Sequence, residues 1–359
     1  MFSVMGDENC QSKVVKLLVR AVTSMSLIPL GPNWITRILS PGAVWQDKGE
    51  TRPIFGYWSL ISGIIAELLY FPCMLALRAE SKNSCYKIMF WISLVDMLTL
   101  LCCSVFYGIG LLHGDVFCTK PQWHFCLGAY GIGCWTASCL GCLILVCNRL
   151  AELMDKGKIF EGRRTYAFLS VATVYGIVFA LFTPPPIFNS KYQSFFFNPY
   201  IDDSQEYVYR NIPHAVNNLT VVILSTFLYF VIFDALTTQM MPAQGAMSTD
   251  VGRKRIRASR AVFIQAAVIC FGNFTSSIMY VYFNFFYTPP ALIIFAQVAW
   301  QLGLSLQPVI YLLINSRIRA YCLNLLGINR NVRKSTVTSH FIPSRNDSRR
   351  QTIISTNII

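Results

Sequence analysis

The sequence predicts an all-α membrane protein, a bundle of seven transmembrane helices. Three observations predict it: the composition, seven long apolar segments, and a one-sided distribution of Lys and Arg. Of the 359 residues 54% are hydrophobic and 13% charged, where a soluble domain carries roughly 25% charge. With a mean hydropathy of +0.47, the apolar residues exceed what one or two water-soluble cores can bury, so most of them need lipid. Composition thereby excludes a soluble enzyme, a disordered chain and a coiled coil.

Each span follows from its own stretch of sequence, since crossing about 30 Å of hydrocarbon takes about 20 mostly apolar residues. Ile54–Leu77 carries one charge, Glu67, and Ile88–Leu112 one, Asp96. Pro121–Asn148 and Thr165–Ser190 carry none, and Ile212–Thr238 only Asp234. Ala261 to Ser316 is uncharged throughout and far too long for one crossing. It must fold back, and paired prolines lacking amide donors mark the turn at Tyr287-Thr288-Pro289-Pro290. The sixth and seventh spans are therefore Ala261–Tyr287 and Ala291–Ile314.

Lys and Arg set the orientation, because short cytosolic loops retain positive charge. The segments after spans one, three and five, expected as cytosolic loops 78–87, 149–164 and 239–260, hold Arg78, Lys82 and Lys87, then Arg149 to Arg164, then Arg253 to Arg260. The loops on the other side hold only Lys120, Lys191 and Arg210. The N-terminus is expected outside and the tail in the cytosol. The formal net charge of +13 is thus a topology signal, and no nucleic-acid partner is expected.

Four regions result: an extracellular segment 1–53, the bundle 54–314, an amphipathic juxtamembrane helix 315–326, and a polar tail 327–359 expected to be disordered. Val14–Leu30 is broken by Lys16 and Arg20, which makes it neither a span nor a signal-peptide core, and a start at Met25 stays open. Most of the 13 cysteines fall inside spans, where a thiol packs as a small apolar group. The outer loop Asn189–Asn211 has no cysteine to bridge it to the third span, while a Cys10–Cys118 pair stays open. Gly128, Gly131, Ala137, Ser138, Gly141 and Cys142 let neighbours approach that third span closely, which places it at the bundle centre.

The intramembrane acids Glu67 and Asp96 have no Lys or Arg in any span to neutralise them. Each is protonated, hydrogen-bonded or beside a bound cation. Glu67, Asp96 and Gln307 stand at similar depth on spans one, two and seven, so they are expected to converge in one polar cluster. No intramembrane Lys is present for a retinal Schiff base. Neither metal-ligand spacing among the four histidines nor a nucleophile–base set emerges, so no cofactor and no enzyme activity are expected.

The residues resemble the nematode seven-helix chemoreceptors called serpentine receptor class T. The likeness runs from about residue 53 to 327. It is carried by Gly56–Pro72, by Ser84-Cys85-Tyr86-Lys87 leading to Asp96-Met97, and by Gly114–Cys118. Downstream it continues in Trp135 with Cys139, Asn148–Leu153, Phe197-Asn198-Pro199, Asn211-Ile212-Pro213-His214 with Asn217-Asn218, and Tyr311–Asn315 with Ile318-Arg319. This resemblance implies a rhodopsin-like G-protein-coupled receptor for a small-molecule cue, in the plasma membrane of a sensory neuron. It implies a heterotrimeric G protein as partner; in the tail Ser335, Thr336, Thr338, Ser339, Ser344, Ser348 and Thr352 sit among basic residues and are expected kinase targets for desensitisation, with a receptor kinase and arrestin as further partners.

Residue by residue, Asp96 resembles the sodium-site acid of the wider superfamily, which makes sodium one candidate cation there. Arg149, between Asn148 and Leu150, resembles the arginine of the Asp-Arg-Tyr switch without its neighbouring acid. Gln307-Pro308-Val309-Ile310-Tyr311 resembles Asn-Pro-x-x-Tyr with Gln first, and Gly272-Asn273 stands where a Trp-x-Pro hinge is usual. Asn148, Arg149, Pro308 and Tyr311 are therefore the expected G-protein switch. The outer half offers Trp135, Asn217, Asn218, Tyr280, Asn284, Gln297 and Trp300 as uncharged ligand-binding candidates, suited to small neutral or weakly polar molecules. Beside the inner leaflet of membrane lipid, Cys322 is a candidate for lipidation. A ligand-gated channel or carrier using the intramembrane acids is the alternative reading.

Overall fold

The computed structural model describes residues 49–154, 156–197, 211–240, 264, 267, 271–283, 285–286 and 288–327. Helix α1, Pro53–Ala79, opens on a proline whose missing amide donor costs nothing in a first turn. Helix α2, Ser84–His113, starts where the Asn83 side chain accepts from the Cys85 amide at 2.9 Å. It stops at Gly114, whose φ of 70° suits a residue without a Cβ. Within α2, Leu101–Phe106 is wound as a π-helix.

Helix α3 is Pro121–Leu153, α4 Arg163–Phe182 and α5 Ile212–Met240. The sixth span is described in part, and 271–283 is helical (α6). The seventh is two helices, α7 Pro290–Ser305 and α8 Gln307–Ile314, bent by 42°. Among the described residues five helices are long and apolar enough to cross a membrane unbroken, and the bent pair makes a sixth. The short helix α9, Ser316–Leu325, is capped by Asn315, whose side chain accepts from the amides of Arg317 and Ile318.

Burial separates centre from rim. Of the apolar stretch of α3 72% is buried, against 33% for α1 and 28% for α4, so α3 is the axis and the other two turn broad faces outward. Small residues permit this. A Cβ on Gly176 would lie 2.5 Å from the Gly133 carbonyl oxygen, so α3 and α4 touch backbone to backbone there.

Two expectations are corrected. The fourth span, expected to run to Ser190, ends at Phe182, because Pro184, Pro185 and Pro186 remove three successive amide donors. Beyond them, β1 Ile187–Asn189 and β2 Ser194–Phe196 pair antiparallel, Phe188 opposite Phe195. An uncharged segment can insert among helices without being one. The third helix runs past Asn148 to Leu153, so Arg149 is helical and not the start of a loop.

The β1–β2 hairpin lies across one end of the bundle with Ile187, Phe188, Ser194, Phe195 and Phe196 all buried. Backbone and side-chain hydrogen bonds tie it down. Asn189 bridges Val116, the Ser190 amide donates to the Asp115 carbonyl at 3.1 Å, Tyr107 donates to the Gln193 carbonyl at 2.8 Å, and Asn211 donates to the Pro184 carbonyl at 2.8 Å. The Cys10–Cys118 pairing falls outside the described residues.

Candidate functional site

Beneath the hairpin is a cavity walled by Trp135 of α3, Phe195 and Phe197 of the hairpin segment, His214 of α5, Tyr280 of α6 and Trp300 of α7. About 20 Å³ of it is open to the centre of a water molecule, room for about one water. Trp300 organises the walls. Its ring meets Trp135 at 5.9 Å and 86°, Tyr280 at 5.9 Å and 83°, and Phe195 at 6.4 Å and 76°, the edge-to-face geometry that aromatic quadrupoles favour. No charged side chain lines the cavity.

Behind the walls the polar groups are chained. The Trp135 indole donates to Asn218 Oδ1 at 3.0 Å, Asn217 donates to the same oxygen at 3.0 Å, and Tyr175 donates to Asn217 at 2.9 Å. Gln297 is committed elsewhere. Its amide donates at 3.1 Å to the carbonyl of Cys103, which also accepts from Gln301, and its Oε1 accepts from Ser194 of the hairpin. Cys103 lies in the π-helical stretch, where the looser winding frees carbonyls from the usual ladder.

In mid-bundle, Ser138 of α3 donates to Asp96 Oδ1 at 2.9 Å, and the Gln307 side chain adjoins the same carboxyl. Asp96 Oδ2 and Gln307 Oε1 are buried without hydrogen bonds. A buried carboxyl oxygen without a donor is what a carboxyl proton or a bound cation would satisfy. Glu67 stays out of this cluster. It is half-buried at the edge of the α1 stripe Gly63–Ala66–Tyr70–Cys73, and its Oε1 has no partner.

The bend in the seventh span follows from Pro308. A proline cannot donate to the carbonyl four residues earlier, that of Leu304, and Tyr70 of α1 donates to it instead at 3.0 Å. One turn further, Tyr311 is fully buried and its hydroxyl accepts from Ser93 at 3.1 Å.

At the end opposite the hairpin, Arg149 forks onto Glu152, Nη1 at 2.9 Å from one carboxylate oxygen and Nη2 at 3.1 Å from the other. Its Nη2 also donates to Asn148 Oδ1, and the Asn148 amide donates to Ser84 of α2, each at 2.9 Å. The acid that is missing beside Arg149 is thus supplied one helical turn later. Nearby, Cys322 of α9 is buried against Cys73 of α1, and burial raises its thiol pKa above the ordinary value. Acylation at that sulfur requires α9 to lift from the bundle.

Comparison with known proteins decides the family. The family model described as "Serpentine type 7TM GPCR chemoreceptor Srt" matches residues 38–336. The chain belongs to the Srt family. Serpentine receptor class T-55 of Caenorhabditis elegans is 23% identical over 299 residues, 82% of this chain and 80% of that protein. The crystal structure of squid rhodopsin superposes with a TM-score of 0.62 at 13% identity, covering 80% of this chain and 90% of that one. This Srt receptor is therefore a multi-pass membrane protein with the seven-helix rhodopsin fold, of a receptor family and not an enzyme family.

Of the expected ligand residues of the Srt receptor, Trp135, Tyr280 and Trp300 wall the cavity, Asn217 and Asn218 form the layer behind, Gln297 staples span seven to span two, and Asn284 falls outside the described residues. The expected switch residues occupy the opposite half, with Arg149 and Asn148 at its end and Pro308 and Tyr311 one layer inward. Three residues were not foreseen. Glu152 was recoverable from its i,i+3 spacing to Arg149, and His214 from its i,i+4 spacing to Asn218; Phe195 carried no periodic signal, because it lies in the hairpin.

Proposed function

We propose that this Srt receptor is a chemosensory receptor in the plasma membrane. It binds a small uncharged molecule from outside, in the cavity under the hairpin, and activates a heterotrimeric G protein at the Arg149 end. The observation that carries this reading is the cavity itself: aromatic, free of charge and built from α3, α5, α6, α7 and the hairpin, so that an occupant touches elements that must move relative to one another. Its free space is small. A ligand larger than a water must part Phe195, Tyr280 and Trp300, which turns binding energy into displacement of the hairpin and of spans six and seven.

The signal then has a physical route. Span seven is already broken at Pro308, and α6 meets α7 at Gly272 and Gly303, where a Cβ on Gly272 would come within 3.1 Å of the Gly303 Cα. Released from Glu152, Arg149 presents a planar fork of donors to the G protein, and Tyr311 moves toward it. The Lys and Arg asymmetry supports an external N-terminus and a cytosolic Arg149 end. Kinase and arrestin action on the tail, contact of α9 with inner-leaflet lipid, and a sensory-neuron location are part of the same proposal.

The test is nucleotide exchange on a heterotrimeric G protein by the full-length receptor in nanodiscs, screened against a library of small neutral compounds. Wild type is expected to show compound-dependent exchange, and Arg149→Ala to lose it more than tenfold, on the order of 1.4 kcal/mol or more, while still binding the compound. Full exchange by Arg149→Ala at equal receptor density contradicts the proposal.

A further inference from the structure

The cavity holds a second layer of information in its hydrogen bonds, and it rests on the reading of that cavity as the ligand site. Indole nitrogen is a donor only, so the bond from Trp135 Nε1 fixes Asn218 with its oxygen toward the tryptophan. The Asn218 amide group then points at His214 Nε2, 3.4 Å away. An NH₂ group offers only hydrogens, so Nε2 must accept. A neutral imidazole that accepts at Nε2 carries its proton on Nδ1. Nδ1 of His214 is buried and meets no acceptor.

Trp300, which like His214 packs edge-on to Tyr280, repeats the pattern. It is 6% exposed, and its Nε1–H is buried without a partner. His214 is 4% exposed. Two N–H donors on side chains lining one cavity are therefore both unsatisfied, a state that native interiors avoid unless something arrives to accept from them. Tyr280 does not fill that role, since its hydroxyl, which interacts with Ser194, makes no hydrogen bond to either N–H.

We propose that the ligand is an uncharged hydrogen-bond acceptor, a small ketone, aldehyde, ester or ether whose oxygen takes the Nδ1–H of His214 and the Nε1–H of Trp300. A cation is excluded by the same two donors and by the lack of any carboxylate among the walls. An alkane would fill the rings' space and leave both N–H groups unpaired. A carboxylate would meet donors but no cation, at the full cost of burying its charge.

The experiment measures binding to the full-length receptor in nanodiscs by the shift in thermal unfolding midpoint. The probes are short- and medium-chain methyl ketones and methyl esters, with alkanes, alkylammonium ions and alkyl carboxylates of the same chain lengths. Ketones or esters are expected to raise the midpoint and the matched compounds not to. Trp300→Phe and His214→Phe keep the rings and remove one donor each, and each is expected to weaken carbonyl binding about tenfold, with Trp123→Phe, on an exposed ring outside the cavity, unchanged. A preference for alkane, ammonium or carboxylate, carbonyl binding that both variants leave intact, or no binding by any carbonyl probe overturns the inference; the last result means that a trapped water alone satisfies the two donors. G-protein nucleotide exchange, run in parallel, separates the two readings. Exchange driven by a compound of another class retains the receptor and removes this ligand assignment, whereas carbonyl binding without exchange does the reverse.

Discussion

The two ends of the bundle solve opposite problems. At the hairpin end the walls are rings held edge to face, and two buried N–H groups have no acceptor. At the Arg149 end the charged groups are ion-paired, Arg149 with Glu152 and Arg317 with Glu80, and Asn148 links Arg149 to Ser84, with Arg149 Nε alone of that guanidinium left buried without a partner. In the proposed function the first set of groups waits for an acceptor to enter, and the second is held by its ion pair until it is released. Under that proposal the receptor keeps its affinity in the first region and its restraint in the second, with Asp96, Gln307 and the Pro308 bend between them.

The largest expected effect separates the ends by packing. A Cβ at Gly128 would lie 2.0 Å from the Pro186 carbonyl oxygen, a backbone atom that cannot swing aside. Gly128→Val should cost about 3 kcal/mol or more and dislodge the hairpin. Gly162, near the other end, has a φ of 61° and nothing within 4 Å, so Gly162→Ala should cost only about 1 kcal/mol of backbone strain. Thermal unfolding midpoints in nanodiscs, read beside surface expression, check both. Equal losses at the two glycines would erase the contrast.

The middle layer should respond less. Tyr70→Phe removes the donor that serves the Leu304 carbonyl at the Pro308 bend, at an expected cost of about 1–3 kcal/mol, and an unchanged midpoint would show that the carbonyl finds water.

Smallest of all should be Asp96→Asn, which sets an amide donor beside the unpartnered Gln307 Oε1. Stability is expected to change by less than about 1 kcal/mol, while any sodium dependence of the wild-type midpoint disappears. Titrating sodium against a bulky organic cation at constant ionic strength reads this directly. Identical sodium dependence in both proteins would reduce Asp96 to a structural acceptor.

How much of this was legible beforehand differed by region for a physical reason. Spans were readable because hydrocarbon thickness and the energetics of charge act on stretches of about 20 residues, a scale that sequence displays directly. The family resemblance lay in motifs that stand within the described helices, Gly56–Pro72 and Asn148–Leu153 among them. What sequence hid was rotation and reentry. Glu67 and Asp96 match in depth, yet Glu67 falls at the edge of the buried stripe of α1, a matter of angle about the helix and not of depth. Pro184–Pro186 marked a helix end that absence of charge concealed, and so Phe195 was not counted among the walls. Gln297 has the chemistry of a ligand contact, but the π-helical winding opposite offers it a carbonyl first.

The proposed restraint on Arg149 can be read without any ligand, from nucleotide exchange on a heterotrimeric G protein by Glu152→Gln beside wild type, at equal receptor density. Glu152 is the acid that holds Arg149, and its neutral isostere keeps the shape while weakening the fork. Ligand-free exchange is expected to rise several-fold, as the loss of about 1 kcal/mol of restraint would give. Exchange that stays at the wild-type level or falls, from a receptor folded and present in equal amount, would contradict it.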